Sequence, residues 1–153
     1  LEEVTDEVRA VAARMLDLMH EAPGVGLAAP QVGLPWRMFV ANAHSEHVRS
    51  EDRVFINPTL RDASRELEDY EEGCLSLPHI LAEVRRPKQI TIDALDVQGQ
   101  PFTMTADDLW ARVWQHEYDH LDGVLIIDRM TPIDRTANRR ALRELEQAAS
   151  TKR

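Results

Sequence analysis

The chain is short of several things. It has one cysteine, Cys74, which excludes an intramolecular disulfide and is consistent with a reducing compartment. No apolar run approaches the ~20 residues needed to span a membrane. The opening Leu1-Glu-Glu-Val lacks the basic flank and apolar core of a signal peptide. Basic charge is scarce as well: 18 Lys and Arg stand against 27 Asp and Glu, a net charge of -9. That balance argues against a nucleic-acid or anionic-membrane surface, either of which needs clustered cations. There is no internal repeat, heptad seam or low-complexity tract.

What is present suits a single globular domain over residues 1–153, with 43% hydrophobic residues and length enough for one sizeable core. Val4, Val8, Val11, Met15 and Met19 recur every three to four residues and predict an amphipathic first helix, capped by Thr5 or Asp6 and broken at Pro23-Gly24. A small-residue loop follows, Gly24 to Gly33, whose one polar side chain is Gln31. Arg37 to Asn42 and Val54 to Asn57 read as short strands, the second stopped by Pro58. The polar run between them, Ala43 to Asp52, reads as a surface connection with His44 and His47 solvated. An acidic stretch, Arg65 to Glu72, turns abruptly small and apolar at Gly73 to Pro78, where Pro78 ends the extended segment. Gln89 to Val97 alternates as a strand, Gln98-Gly99 turns, and Pro101 to Thr105 returns. Gly123 to Ile127 is a short apolar stretch, and Asp134 to Ala149 is a highly charged last helix whose charges form a solvated face. The order predicts an α+β fold, mostly antiparallel sheet packed around a central helix, with a helix at the C-terminal end.

That central helix carries Gln115-His-Glu-Tyr-Asp-His120. Two histidines four residues apart on a helix are about 40° apart in projection, one turn up the same face, so both imidazoles can reach one metal ion. Glu117 sits to the side, where a carboxylate can handle protons without taking a ligand position. Leu109 and Val113 fall at helical spacing from His116, so this face is apolar enough to be buried. Asp119 is either support for an imidazole or a surface carboxylate. A catalytic metal usually takes three protein ligands and keeps one position open. Candidates for the third are Cys74, a carboxylate, or one of His20, His44, His47 and His79; Cys74 stands out for its tight Glu-Gly and Leu-Ser-Leu-Pro flanks.

Three separated stretches, Gly24-Val-Gly-Leu-Ala-Ala-Pro-Gln31, Glu72-Gly-Cys-Leu-Ser76 and Gln115-His-Glu-Tyr-Asp-His120, resemble the motifs of the peptide deformylases in the family's order. The bacterial type is the closer likeness, given the long helix after the third stretch. The resemblance implies a metal-dependent hydrolase that removes the formyl group from N-terminal formylmethionine of nascent, ribosome-associated polypeptides. It implies Cys74, His116 and His120 as ligands of one divalent ion, Fe(II) natively, with zinc, nickel or cobalt able to occupy the site. Glu117 would be the general acid/base toward a metal-activated water, and Gln31 with the backbone N–H of Leu75 would face the oxyanion. Gly26 would offer its carbonyl to the substrate amide. Apart from the resemblance, the apolar residues Val25, Leu75, Leu109 and Val113 would either form a pocket for the methionine side chain or be plain core. Helical spacing places Leu109 and Val113 on the His116 face, and Arg112, one turn before His116, would meet peptide backbone or pair with an acid. The bacterial cytoplasm is the implied setting, or an organelle of bacterial descent. Oligomeric state is not implied.

The chain departs from the family pattern twice. It begins almost at the first helix, where relatives carry a preceding segment, and after Pro78 it reads His79-Ile-Leu-Ala-Glu-Val-Arg-Arg86 where many relatives have glycines or an arginine. Two other readings stand beside this one. A zinc metallopeptidase shares the His-Glu-x-x-His helix, but Cys74 and Gln31 argue against it. An inactive metal-binding relative has no use for Glu117 and Gln31.

Overall fold

The structure is a computed structural model; it describes residues 1–74 and 77–151, without the side chains of 74, 77–79, 127 and 148–151. The frame is a five-stranded antiparallel sheet built from β1 (Gly26–Ala28), β2 (Met38–Ala41), β3 (Arg53–Arg61), β6 (Ile90–Leu95) and β7 (Pro101–Ala106), in that spatial order. The intervening strands β4 (Leu67–Cys74) and β5 (Leu77–Pro87) form a separate antiparallel pair. The α+β expectation holds, with one helix on each face of the larger sheet.

Strand alternation decides which helix packs where. Met38 and Val40 of β2, with Ile56 of β3, turn to α1 (Asp6–Glu21), meeting its buried stripe Val8, Ala12, Met15 and Met19. Phe39 and Ala41, one residue out of phase, turn to the other face with Phe55 and pack on Ala111, Val113 and Trp114 of α2 (Leu109–Leu121). Phe39 stacks on Phe55 at 4.8 Å between ring centroids, and Trp114 meets Phe55 edge-on at 5.9 Å. The middle of β2 is therefore apolar on both sides. The helix of the His-Glu-x-x-His stretch is pressed onto the sheet by its aromatic residue Trp114, and its polar residues lie on the flank toward β1 and the β4–β5 pair. Asp108 caps its start, accepting from the Trp110 N–H at 3.0 Å.

Several expectations are corrected. Pro58 does not stop the second strand: β3 runs on to Arg61 because the ladder shifts register between Ile56 and Thr59, where no N–H is required of a proline. Asn57 makes the detour at a φ of 50°, a conformation asparagine tolerates better than most residues. Extended chain does not end at Pro78 either, since β5 spans Leu77–Pro87. The stretch Gly123 to Ile127 is a turn entering a short helix, α3 (Ile126–Arg129). The charged last helix is two, α4 (Pro132–Ala137) and α5 (Arg139–Thr151), parted at Asn138, whose Nδ2 donates to the Leu81 and Asp134 carbonyls. Its charges are solvated, but Ala141, Leu142 and Leu145 pack on Ile80, Ala82 and Val84 of β5. Among the described residues, no helix is long and apolar enough to cross a membrane.

Candidate metal centre and active site

Among the described residues, one group of side chains has the makings of a metal site: His116, Glu117 and His120, whose ligand atoms lie within 4.8 Å of one another. The Nε2 atoms of the two histidines are 3.1 Å apart and the Glu117 Oε1 is 4.0 Å from His116 Nε2. Two ligands about 2.1 Å from one tetrahedral ion are about 3.4 Å apart, so the imidazole pair fits a shared ion closely.

Which nitrogen faces which way is settled by Glu72, at the end of β4. Its Oε1 lies 2.8 Å from His116 Nδ1, while Oε2 takes Arg86 at 2.7 Å and Arg112 at 2.8 Å. Burial alone would raise the Glu72 pKa; hydrogen bonds from His116, Arg86 and Arg112 outweigh it and hold the carboxyl down at about 2, below its ordinary 4.5. An ionised Glu72 can only accept, so His116 Nδ1 carries the proton and Nε2 presents a lone pair toward His120. This carboxylate–imidazole pair is the usual support for a metal-ligating histidine.

Arg86 and Arg112 are themselves buried, and each is held by more than one partner. Arg86 bridges Glu72 and Asp119 of α2, which also takes Arg129 of α3. Asp119 is thus a buried tie between β5, α2 and α3. Arg112 has its guanidinium on Glu72, the Val84 carbonyl and the Glu68 carbonyl, and the Tyr70 ring lies 5.5 Å away. Of the two roles expected for Arg112, pairing with an acid is the one the structure displays.

Beside the group opens a cavity of about 560 Å³. Gly24, Val25, Gly26, Gln31, Leu109, Arg112, Val113, His116 and Glu117 line it, so the expected pocket residues do converge. Gly26 passes so close to α2 that a Cβ there would sit 2.8 Å from Glu117 Oε1 and 2.9 Å from its Cγ; only glycine allows β1 and the carboxylate to share this wall. Gln31, in a 3-10 turn over Ala29–Val32, accepts the Ala28 N–H on Oε1 at 2.8 Å, so its nitrogen is the donor end of the amide. The expectations for the Cys74 side chain, for Leu75 and for the His79 side chain lie outside the described residues.

Two of the other histidines are not the solvated or ligating residues that the sequence suggests. His20 Nε2 meets Asp52 Oδ1 at 2.8 Å, and half-buried His47 places Nε2 3.0 Å from the Gly24 carbonyl. Glu72 and Arg86 are the functional residues that sequence reasoning missed. Glu72 stood inside a motif, and the doublet Arg85-Arg86 opposite an acidic strand was the available signal: alternation sends Arg85 outward to Asp69 and Arg86 inward to Glu72.

A buried helix turning two imidazoles and a carboxylate to one point beside a cavity is the site class of metal-dependent hydrolases. The comparisons narrow this. Residues 1–136 match the model of the family described as polypeptide deformylase. A peptide deformylase of Brucella suis is 40% identical over 153 residues, all of this chain and 87% of that protein. One from Treponema pallidum is 49% identical over 128 residues, 84% of this chain and 76% of that protein. The crystal structure of a Plasmodium falciparum peptide deformylase superposes with a TM-score of 0.94 at 36% identity, over 99% of this chain and 88% of that one. The chain belongs to the polypeptide deformylase family, whose members depend on a metal ion.

Proposed function

We propose that His116, His120 and Cys74 hold the metal and that Glu117, Gln31 and the Leu75 N–H carry out the removal of the N-formyl group from nascent polypeptides, the reaction of this family. The observation that supports this most is the convergence of His116, Glu117 and His120 at the wall of a cavity, where Gly26 leaves room for the Glu117 carboxylate. Cys74 enters on its motif and on the chemistry of the donor set, since a thiolate beside two imidazoles suits Fe(II), zinc, nickel and cobalt alike. Fe(II) is the proposed native ion, on family resemblance. When bound, such an ion supplies Lewis acidity and brings the pKa of water to near neutrality.

The chain's own residues then divide the work. Glu117 accepts the proton of the attacking water at its carboxylate. It returns that proton to the departing amine nitrogen, which cannot leave as an anion. As the formyl carbon becomes tetrahedral, its oxygen gains charge, and the Gln31 amide nitrogen donates to it, with the Leu75 N–H as second donor. Such a donor is typically worth about 3 kcal/mol of barrier. Glu72 keeps the His116 tautomer fixed throughout. Leu109, Val113 and Val25 offer apolar surface to the methionine side chain, Gly26 its carbonyl to the peptide, and Arg112 steadies the pocket by holding Glu72. The products are formate and a free α-amine. The proposed setting is one catalytic domain in the bacterial cytoplasm, acting on chains emerging from the ribosome.

Glu117→Gln tests the assignment. The variant is expected to bind one divalent ion per chain as the parent does and to release formate at least 1,000-fold more slowly. Loss of metal from this variant, together with full metal retention in Cys74→Ala, would reverse the roles given to the two residues.

A further inference from the structure

The connection between β2 and β3 is ordered around one buried amide. Asn42, fully buried at the end of β2, donates from Nδ2 to the Val48 carbonyl at 2.9 Å and to Asp52 Oδ1 at 2.8 Å, and accepts the His44 N–H at 3.1 Å. Asp52 also takes the His20 ring from the last turn of α1. These bonds fold the connection back over the end of α1 and bring the ring of His47 against that of His20, 4.9 Å between centroids at 62°. His47 has a φ of 51°, a left-handed conformation that a non-glycine residue adopts only when its surroundings hold it there. From this position His47 Nε2 reaches the Gly24 carbonyl at 3.0 Å.

Gly24 is where the chain turns from α1 into the cavity wall. Its N–H is tied back to the Met19 carbonyl at 2.8 Å, and the Val25 carbonyl accepts the Asn42 N–H at 2.9 Å. The same amide residue therefore holds the wall at Val25 and, through the connection it organises, at Gly24. Gly26, two residues on, is packed against Glu117.

We infer that His47 is a positioning residue of the active site: its Nε2–H clamps the Gly24 carbonyl and fixes the Gly24–Gly26 wall along which a peptide substrate lies. A carbonyl oxygen can only accept, so Nε2 is the protonated nitrogen of this ring. His47 touches neither substrate nor metal, and its effect passes through the wall. The kinetic consequence rests on the reading of the site given above; the clamp itself does not.

Two substitutions separate the bond from the backbone. Asparagine tolerates the left-handed φ but carries its amide nitrogen where Nδ1 was, short of Gly24. Glutamine reaches as far as Nε2 and can donate there. With formyl-Met-Ala-Ser as substrate, His47→Asn is expected to raise KM about 3- to 10-fold, the range one hydrogen bond carries, with kcat within about 2-fold. His47→Gln is expected to return KM to within about 2-fold of the parent. Amide hydrogen exchange reads the clamp without turnover: the Gly24 and Asn42 amides should exchange faster in His47→Asn and at parental rates in His47→Gln, with the α2 amides unchanged in both. Parental KM and exchange in His47→Asn would overturn the inference, as would equal losses in both variants. A parent protein inactive on the formyl peptide would instead count against the proposed reaction, and the exchange data would still decide on the clamp.

Discussion

Glu72 Oε1 lies 2.8 Å from Nδ1 of His116, and the opposite nitrogen of that ring lies 3.1 Å from Nε2 of His120. A carboxylate on one strand thereby sets the protonation of a ring on a helix, and the ring's lone pair meets its neighbour at the proposed metal position. The same carboxylate pairs with two buried arginines, one of them shared with Asp119. Site and scaffold are joined at one side chain.

Replacing Glu72 by Gln keeps the shape but not the charge. Arg86 and Arg112 would be left with reduced compensation in a buried setting, a change that costs roughly 3–5 kcal/mol when a buried pair is broken. Loss of the ionic support to His116 should weaken metal binding about 10- to 100-fold. Urea unfolding of the metal-free protein and a chelator competition would measure the two effects separately.

Acid should act through the same residue. Because the folded-state pKa of Glu72 is depressed to about 2 from an ordinary 4.5, its contribution is fully present above pH 4.5 and is lost as pH falls toward 2. The metal-free parent should therefore lose stability more steeply over that window than Glu72→Gln, which has no group there to titrate. Urea midpoints at half-unit pH steps would show the two curves converging at low pH.

Gly26→Ala places a Cβ against the Glu117 carboxylate, 2.8 Å from Oε1. The side chain must swing away, or β1 must lift from α2. Displacing a proton-transfer group by about 1 Å typically costs about 100-fold in rate. Formate release by Gly26→Ala should fall by about that factor, while metal content and thermal midpoint stay near those of the parent.

The helix of the two histidines was legible because its period and its chemistry coincide: Leu109, Val113 and His116 share a face, and so do His116 and His120. The first helix was legible for the same reason, through Val8, Met15 and Met19. What escaped was whatever depends on register. β5 contains two prolines, Pro78 and Pro87, and a pair of adjacent arginines, so by itself it does not alternate cleanly. It becomes a strand against β4, where Asp69 meets Arg85 and Glu72 meets Arg86. The continuation of β3 past Pro58 rests on a left-handed Asn57, and the split of the last helix on the Asn138 side chain binding Leu81 of β5. His47 illustrates the same limit: a histidine in a polar connection looks solvated until Asn42 is seen folding that connection onto the cavity wall.

The most direct test is formate release from a formyl-Met tripeptide by protein loaded anaerobically with Fe(II). Rapid release is predicted, lost on exposure to air and restored when nickel or cobalt replaces the oxidised iron. Absence of release with every one of these metals, in a folded protein holding one ion per chain, would contradict the proposed site.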